Sequence, residues 1–130
     1  MKAVLVDSDI LIEVSRARNR PIVAEWNELS RGEAAVLCSP ISMAELWHGA
    51  RPNEYAVLRN LFQAMITIPI DAEIGEKAGE FLRIFSKSHR VELGDALIAA
   101  TVVIHNVELW TRNRRHYPMK GLAFYQPANM

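Results

Sequence analysis

A single cysteine, Cys38, stands in the whole chain. It has no partner for an internal disulfide and lies in an apolar run, so it is expected to be a small core residue in a reducing compartment. Charge of either sign is also missing in excess: 15 basic side chains balance 15 acidic ones. A balanced chain exerts no global pull on nucleic acid, so any such binding must come from local patches. Long apolar runs are absent too. The stretch from Ala96 to Ile104 falls well short of the roughly 18 residues of a membrane span and contains Thr101. The apolar run after Met1-Lys2 is too short for a signal peptide and is interrupted by two aspartates. There is no internal repeat, low-complexity segment or linker. These absences predict a soluble, cytoplasmic protein, with residues 1–130 forming one domain of ordinary size.

What is present begins at Val4-Leu5-Val6-Asp7-Ser8-Asp9-Ile10-Leu11. A short apolar run that stops at two carboxylates and passes into a helical pattern reads as a strand buried on both faces. Such strands occupy the middle of parallel sheets, where the binding crevice lies outside the carboxyl ends. Asp7 is thereby expected at that edge. The helix after it carries Ile10, Leu11, Val14 and Ala17, with Ser8 or Asp9 as its N-cap. Pro21 opens a second helix with Ile22, Val23, Trp26 and Leu29 inward. Between the two, Arg16, Arg18 and Arg20 form a basic cluster. It is a solvated loop unless it lies beside Asp7, where it could touch phosphate.

Residues 34–39 read as a second buried strand closed by Pro40. Ser42-Met43-Ala44-Glu45 then has the form of a capping box, in which the glutamate reaches back to the backbone of the cap. That explains Glu45 structurally and is the preferred reading of this stretch alone. A glutamate in the first turn of a helix that follows a strand would nevertheless project over the same edge as Asp7. The helices across Met43–Met65, with Trp47, Tyr55, Leu58, Leu61 and Phe62, are more apolar than a small domain readily buries, which suggests a dimer or partner surface. Residues 66–70 are a short strand. Asp71 caps a long helix to about Ser88, whose end carries Arg83, Lys87, His89 and Arg90, as suits a helix C-terminus. Asp95 opens a helix that is apolar nearly all round, where a carboxylate is usually a cap. A strand at 108–111 leads into the polar and basic run Arg112–Pro118, and a last strand spans 122–125. Strands alternating with helices indicate a three-layer α/β/α sandwich with a mostly parallel sheet.

Each acid has an ordinary explanation by itself, but the topology can bring Asp7, Glu45 and Asp95 to one edge. Oxygen donors without histidine or cysteine partners suit a hard divalent cation, Mg²⁺ or Mn²⁺. Such a site fits phosphodiester chemistry, because a bound cation can lower the pKa of water and neutralise the phosphate. Clustered carboxylates without the cation should repel one another and raise at least one pKa.

Four blocks, residues 6–12 (Val-Asp-Ser-Asp-Ile-Leu-Ile), 42–49 (Ser-Met-Ala-Glu-Leu-Trp-His-Gly), 94–100 (Gly-Asp-Ala-Leu-Ile-Ala-Ala) and 109–117 (Leu-Trp-Thr-Arg-Asn-Arg-Arg-His-Tyr), together resemble a PIN domain of the VapC type. These are ribonuclease toxins of toxin–antitoxin pairs. The resemblance covers nearly the whole chain and implies a Mg²⁺- or Mn²⁺-dependent endoribonuclease acting on structured RNA, tRNA or ribosomal RNA. It also implies a homodimer inhibited by a small VapB-like antitoxin. By position, Asp7, Glu45 and Asp95 would be the catalytic, metal-holding acids, with Ser8 and Thr111 as polar support and Asn113 at the edge of the site. Many members carry a fourth acid after the final Thr-x-Asn. Here Asn113 is followed by Arg114, Arg115 and His116, which argues against a firmly bound second metal. Arg112, Arg114 and Arg115 are instead expected to hold the RNA backbone.

Two other classes compete. Asp7-Ser8-Asp9 after a strand also resembles the Asp-x-Asp of phosphatases that form an aspartyl-phosphate, though the Gly-Thr expected after it is missing. A non-catalytic interaction module, in which the carboxylates are merely caps, is the third reading.

Overall fold

A computed structural model describes residues 2–128. Five strands, β1 (Ala3–Val6), β2 (Ala35–Cys38), β3 (Ile66–Thr67), β4 (Glu108–Trp110) and β5 (Ala123–Phe124), form one sheet in the order β3-β2-β1-β4-β5. All four pairings are parallel. The expected strands are therefore all present, and those at 66–70 and 122–125 are shorter than their apolar runs.

Central β1 shows why its sequence does not alternate. Val4 and Val6 enter an apolar core with Ile10 and Leu11 of α1 (Ser8–Arg16), Ile22 and Leu29 of α2 (Arg20–Arg31), Leu46 of α3 (Pro40–His48) and Leu58, Leu61 and Phe62 of α4 (Tyr55–Gln63). Leu5 points the other way, into a core with Ile74, Ala78 and Phe81 of α5 (Ala72–His89) and Ile98, Ala99 and Val102 of α6 (Leu93–His105). Each face of the sheet thus carries a helical layer, and β1 is apolar throughout because both of its faces are covered. Truncating Leu5 to alanine in such a setting costs about 2–5 kcal/mol. The buried hydroxyl of Thr101 in α6 is satisfied by donating to the Leu97 carbonyl at 2.8 Å. No helix among the described residues is long and apolar enough to cross a membrane.

The order of the strands fixes where a site can form. From β1 the chain steps outward through β2 to β3, then returns over the opposite face through α5 and α6 to β4, on the other side of β1. The direction of winding reverses between β1 and β4, and such switch points open a crevice at the carboxyl edge. The Asp7 N–H donates to the Trp110 carbonyl at 2.9 Å, which holds the ends of both strands side by side at that crevice.

Two helix starts differ from the sequence expectation. Asp7 itself, not Ser8 or Asp9, is the N-cap of α1, with its side chain accepting from Ser8 N. The third helix begins at Pro40 with Ser39 as its N-cap, whose hydroxyl accepts from Ile41 N at 3.1 Å. Pro40 ends the strand and also occupies the first helical turn, where its missing N–H costs nothing. Elsewhere the expectation holds: Asp71 caps α5 by accepting from Ile74 N at 3.0 Å, and Pro21 lies in the first turn of α2.

Candidate active site

Asp7 is the centre of the polar edge. It is only 8 % exposed, and its carboxylate is held by three donors. Oδ1 accepts from Ser8 N at 2.8 Å, while Oδ2 accepts from the hydroxyls of Thr111 at 2.9 Å and Tyr117 at 2.7 Å. Ser8 Oγ adds a longer contact to Oδ1 at 3.5 Å. Burial, reinforced by the Asp7 charge, pushes the Tyr117 phenol far above its ordinary range. Tyr117 therefore stays protonated and donates. Sequence reasoning passed over this residue, which closes the basic run as an apparently ordinary aromatic.

Glu45 loses its structural explanation. Because α3 starts at Pro40, Glu45 sits beyond the first turn and completes no capping box. The residue taken as its cap, Ser42, is buried within the helix, and its hydroxyl oxygen has no hydrogen-bond partner among the described residues. The carboxylate instead accepts from Ser8 Oγ at 3.0 Å. Ser8 thus bonds Asp7 through its backbone and Glu45 through its side chain.

Asp95 combines both readings. It lies in the first turn of α6, and Oδ2 accepts from the Glu92 N–H at 3.4 Å, as a cap would. Its other oxygen faces His116, with Nδ1 to Oδ1 at 3.9 Å. Burial raises the Asp95 carboxyl above its usual range and the Asp7 charge adds to this, against the Glu92 N–H and His116, which lower it.

A fourth carboxylate, Asp9, entered the sequence reading only as a possible cap or phosphatase acid. Its Oδ2 accepts from Arg112 N at 3.1 Å and lies 3.3 Å from Thr111 Oγ1, so it ties the start of α1 to the loop after β4. Burial, then the Asp7 charge, push its carboxyl up to about 6. The Arg112 N–H and the Thr111 hydroxyl oppose that rise without cancelling it. Thr111 Oγ1 also accepts from Asn113 N at 3.1 Å.

These side chains line a cavity of about 280 Å³, to which Asp7, Asp9, Glu45, Glu92 and Asp95 contribute carboxylates. Asn113, His116, Tyr117 and Arg90 complete its polar wall. The basic run contributes less to that wall than its placement suggested. Arg112 turns its guanidinium toward Glu13 at 3.8 Å, Arg114 stacks on the Phe124 ring at 4.8 Å, and Arg115 is exposed on a short 3-10 turn. The earlier basic cluster is largely committed as well: Arg16 pairs with Glu54 at 3.1 Å and Arg18 with Glu13 at 2.5 Å.

The donor set is all oxygen, which fits Mg²⁺ or Mn²⁺ and does not favour zinc or copper. As they stand, no three of the described acids, histidines or cysteines converge closely enough to enclose an ion by themselves. That is compatible with Mg²⁺, which is commonly held by one or two carboxylates plus waters and substrate phosphate. The buried Asp9 Oδ1 has no hydrogen-bond partner among the described residues and marks a further oxygen that they leave unsatisfied.

Residues 4–122 match the PIN domain family. The protein named Ribonuclease VapC10 of Mycobacterium tuberculosis is 37% identical over 119 residues, covering 89% of this chain and 86% of that one. A toxin–antitoxin complex from Klebsiella pneumoniae contains a chain of the same fold, with TM-score 0.69 and 25% identity, covering 91% of this chain and 92% of that one. VapBC2 from Rickettsia felis, solved on a DNA fragment from its promoter, shares the fold at TM-score 0.79 with 18% identity, covering 95% and 97%. With its β1–β4 crevice and the acids at its edge, the chain belongs to the PIN domain family, in the branch of the VapC ribonucleases.

Proposed function

We propose that this protein is a Mg²⁺- or Mn²⁺-dependent endoribonuclease that hydrolyses phosphodiester bonds of structured RNA, tRNA or ribosomal RNA, as the toxin of a toxin–antitoxin pair. The observation that carries this reading is the shared edge: Asp7, locked by three donors, lines one cavity with Glu45 and Asp95. Asp7 and Asp95 would hold the cation and Glu45 would complete the acidic face. A divalent cation bound there lowers the pKa of a coordinated water and neutralises charge on the phosphate under attack.

The protein's own contribution is orientation. Ser8, Thr111 and Tyr117 fix the orientation of the Asp7 carboxylate at the wall of the cavity. Ser8 sets the position of Glu45 relative to Asp7. Asp9 holds the Thr111–Asn113 loop against the start of α1 through Arg112 N. Two alternatives fit less well. An aspartyl-phosphate mechanism needs a free nucleophilic carboxylate, whereas that of Asp7 is nearly saturated and buried. A purely structural role leaves Glu45 no capping function and only its one hydrogen bond from Ser8.

The partner reading rests on the outer faces of α3 and α4. Trp47 and Val57 are exposed, and the Trp47 ring packs on exposed Tyr55 with centroids 5.6 Å apart. We assign this apolar surface to a second copy of the chain or to a VapB-like antitoxin, acting in the cytoplasm. Purified protein should cleave RNA with Mg²⁺ or Mn²⁺ and stop on addition of EDTA; undiminished cleavage in EDTA would overturn the metal-dependent mechanism.

A further inference from the structure

We propose that Arg90 is the side chain that grips a phosphate of the bound RNA strand inside the cavity, an inference that rests on the ribonuclease reading. The acidic cavity poses a problem of charge. Five carboxylates line it, and a divalent cation offsets only part of their charge, so an entering phosphodiester still meets a negative wall. A cationic group on the substrate side is needed. Of the cavity's lining residues, Arg90 and His116 are the two that can carry positive charge, and His116 faces Asp95. The guanidinium of Arg90 makes no hydrogen bond or ion pair with any described residue.

Of the other arginines near this edge, none lines the cavity, and only exposed Arg115 has no partner among the described residues. Arg112 faces Glu13, Arg114 lies on Phe124 and Arg16 pairs with Glu54. The fold also anchors Arg90 where a grip would be useful. It is the C-cap of α5, in the left-handed conformation with φ 55° and ψ 35°, and the next residue, Val91, is buried with 4 % exposure. The chain therefore turns sharply at a fixed point, between the end of α5 and the helix that carries Asp95. Nothing in that turn requires arginine, because glycine or asparagine adopts this conformation at less cost. The helix dipole does not require it either, since Lys87 and His89 already occupy the last turn. A planar guanidinium that binds two phosphate oxygens at once, without competing with the carboxylates for a metal, suits the position.

The test is steady-state cleavage of one RNA oligonucleotide in Mg²⁺ by the full chain and by the variants Arg90→Ala, Arg90→Lys and Lys87→Ala. The last removes an equal charge from the last turn of α5, outside the cavity. Arg90→Ala should raise KM roughly tenfold, the scale of one charge-assisted hydrogen bond, with kcat little changed. Arg90→Lys should fall in between, and Lys87→Ala should behave as the parent. RNA binding in an Asp7→Asn background should lose about one unit of salt slope when Arg90 is also replaced. A parent-like KM and salt slope for Arg90→Ala, or an equal loss in Lys87→Ala, would overturn the assignment of Arg90 alone. A parent chain that cleaves no RNA would instead overturn the ribonuclease reading, and this inference with it.

Discussion

The Tyr117 hydroxyl donates to Asp7 Oδ2 at 2.7 Å, joining residues 110 positions apart in the chain. This bond and the 2.9 Å bond from Thr111 act on the same oxygen, so the two hydroxyls together set the plane of the carboxylate. Tyr117→Phe removes one of them and leaves the ring in place. The expected outcome is a loss of about 1–3 kcal/mol in a urea denaturation series, because a buried carboxylate oxygen loses a donor. Cleavage should fall roughly tenfold to a hundredfold, as for other groups that orient a ligand. Parent-like values in both measurements would show that Thr111 and Ser8 suffice.

Glu45 offers a cleaner separation of structure from chemistry. Glu45→Gln should leave the thermal midpoint essentially unchanged, because Glu45 caps no helix, while cleavage falls sharply. Ser39→Ala should cost about 1 kcal/mol as the true N-cap is lost. Ser42→Ala should be neutral or slightly stabilising, since its buried hydroxyl has no partner among the described residues. Thermal melts of the three variants check this; a Ser42→Ala loss as large as that of Ser39→Ala would restore the capping box.

Much of the frame was legible in the sequence because it is written locally. An apolar run ending in Asp7, the Asp71 cap, Pro21 in the first turn of α2 and an all-apolar α6 each follow from a few adjacent residues. The capping box expected over Ser42–Glu45 was misplaced through Pro40, which can end a strand or open a helix and here does both. Asp9 and Tyr117 escaped for a different reason: their partners lie more than 100 positions away. The partners of two arginines were hidden the same way, since Arg16 pairs with Glu54, 38 positions on, and Arg112 faces Glu13. Arg90 matched the helix dipole so well that nothing local set it apart.

Asp9 predicts a dependence of stability on pH. Its carboxyl is pushed up to about 6, above the roughly 3.9 of an unfolded chain. The native state therefore holds more protons across that window, and stability falls as pH rises from about 4 to 6. Asp9→Asn removes the charged form. In EDTA at about pH 7.5 it should be more stable than the parent by roughly 1–2 kcal/mol, a gain that shrinks toward zero by about pH 4. Urea midpoints at the two pH values measure this, and a gain that does not change with pH would contradict it.

Arg114 and Arg115 remain candidates for backbone contacts outside the cavity. Replacing both with alanine should flatten the salt dependence of RNA binding and leave metal affinity little changed. A small loss of stability, about 0.5–1 kcal/mol, should accompany the loss of the Arg114–Phe124 contact. An unchanged salt slope in filter-binding titrations would mean that this run is a solvated turn.

The central claim is that Asp7 anchors a metal-dependent phosphodiester-hydrolysing site. Its most direct test is single-turnover RNA cleavage by Asp7→Asn in Mg²⁺, with circular dichroism confirming the fold. Asparagine keeps the shape and one of the two acceptor oxygens but removes the charge that would hold the cation. A drop in rate of roughly a hundredfold or more is the predicted result, equivalent to several kcal/mol of transition-state stabilisation. A folded Asp7→Asn protein that cleaves at the parent rate would contradict the account.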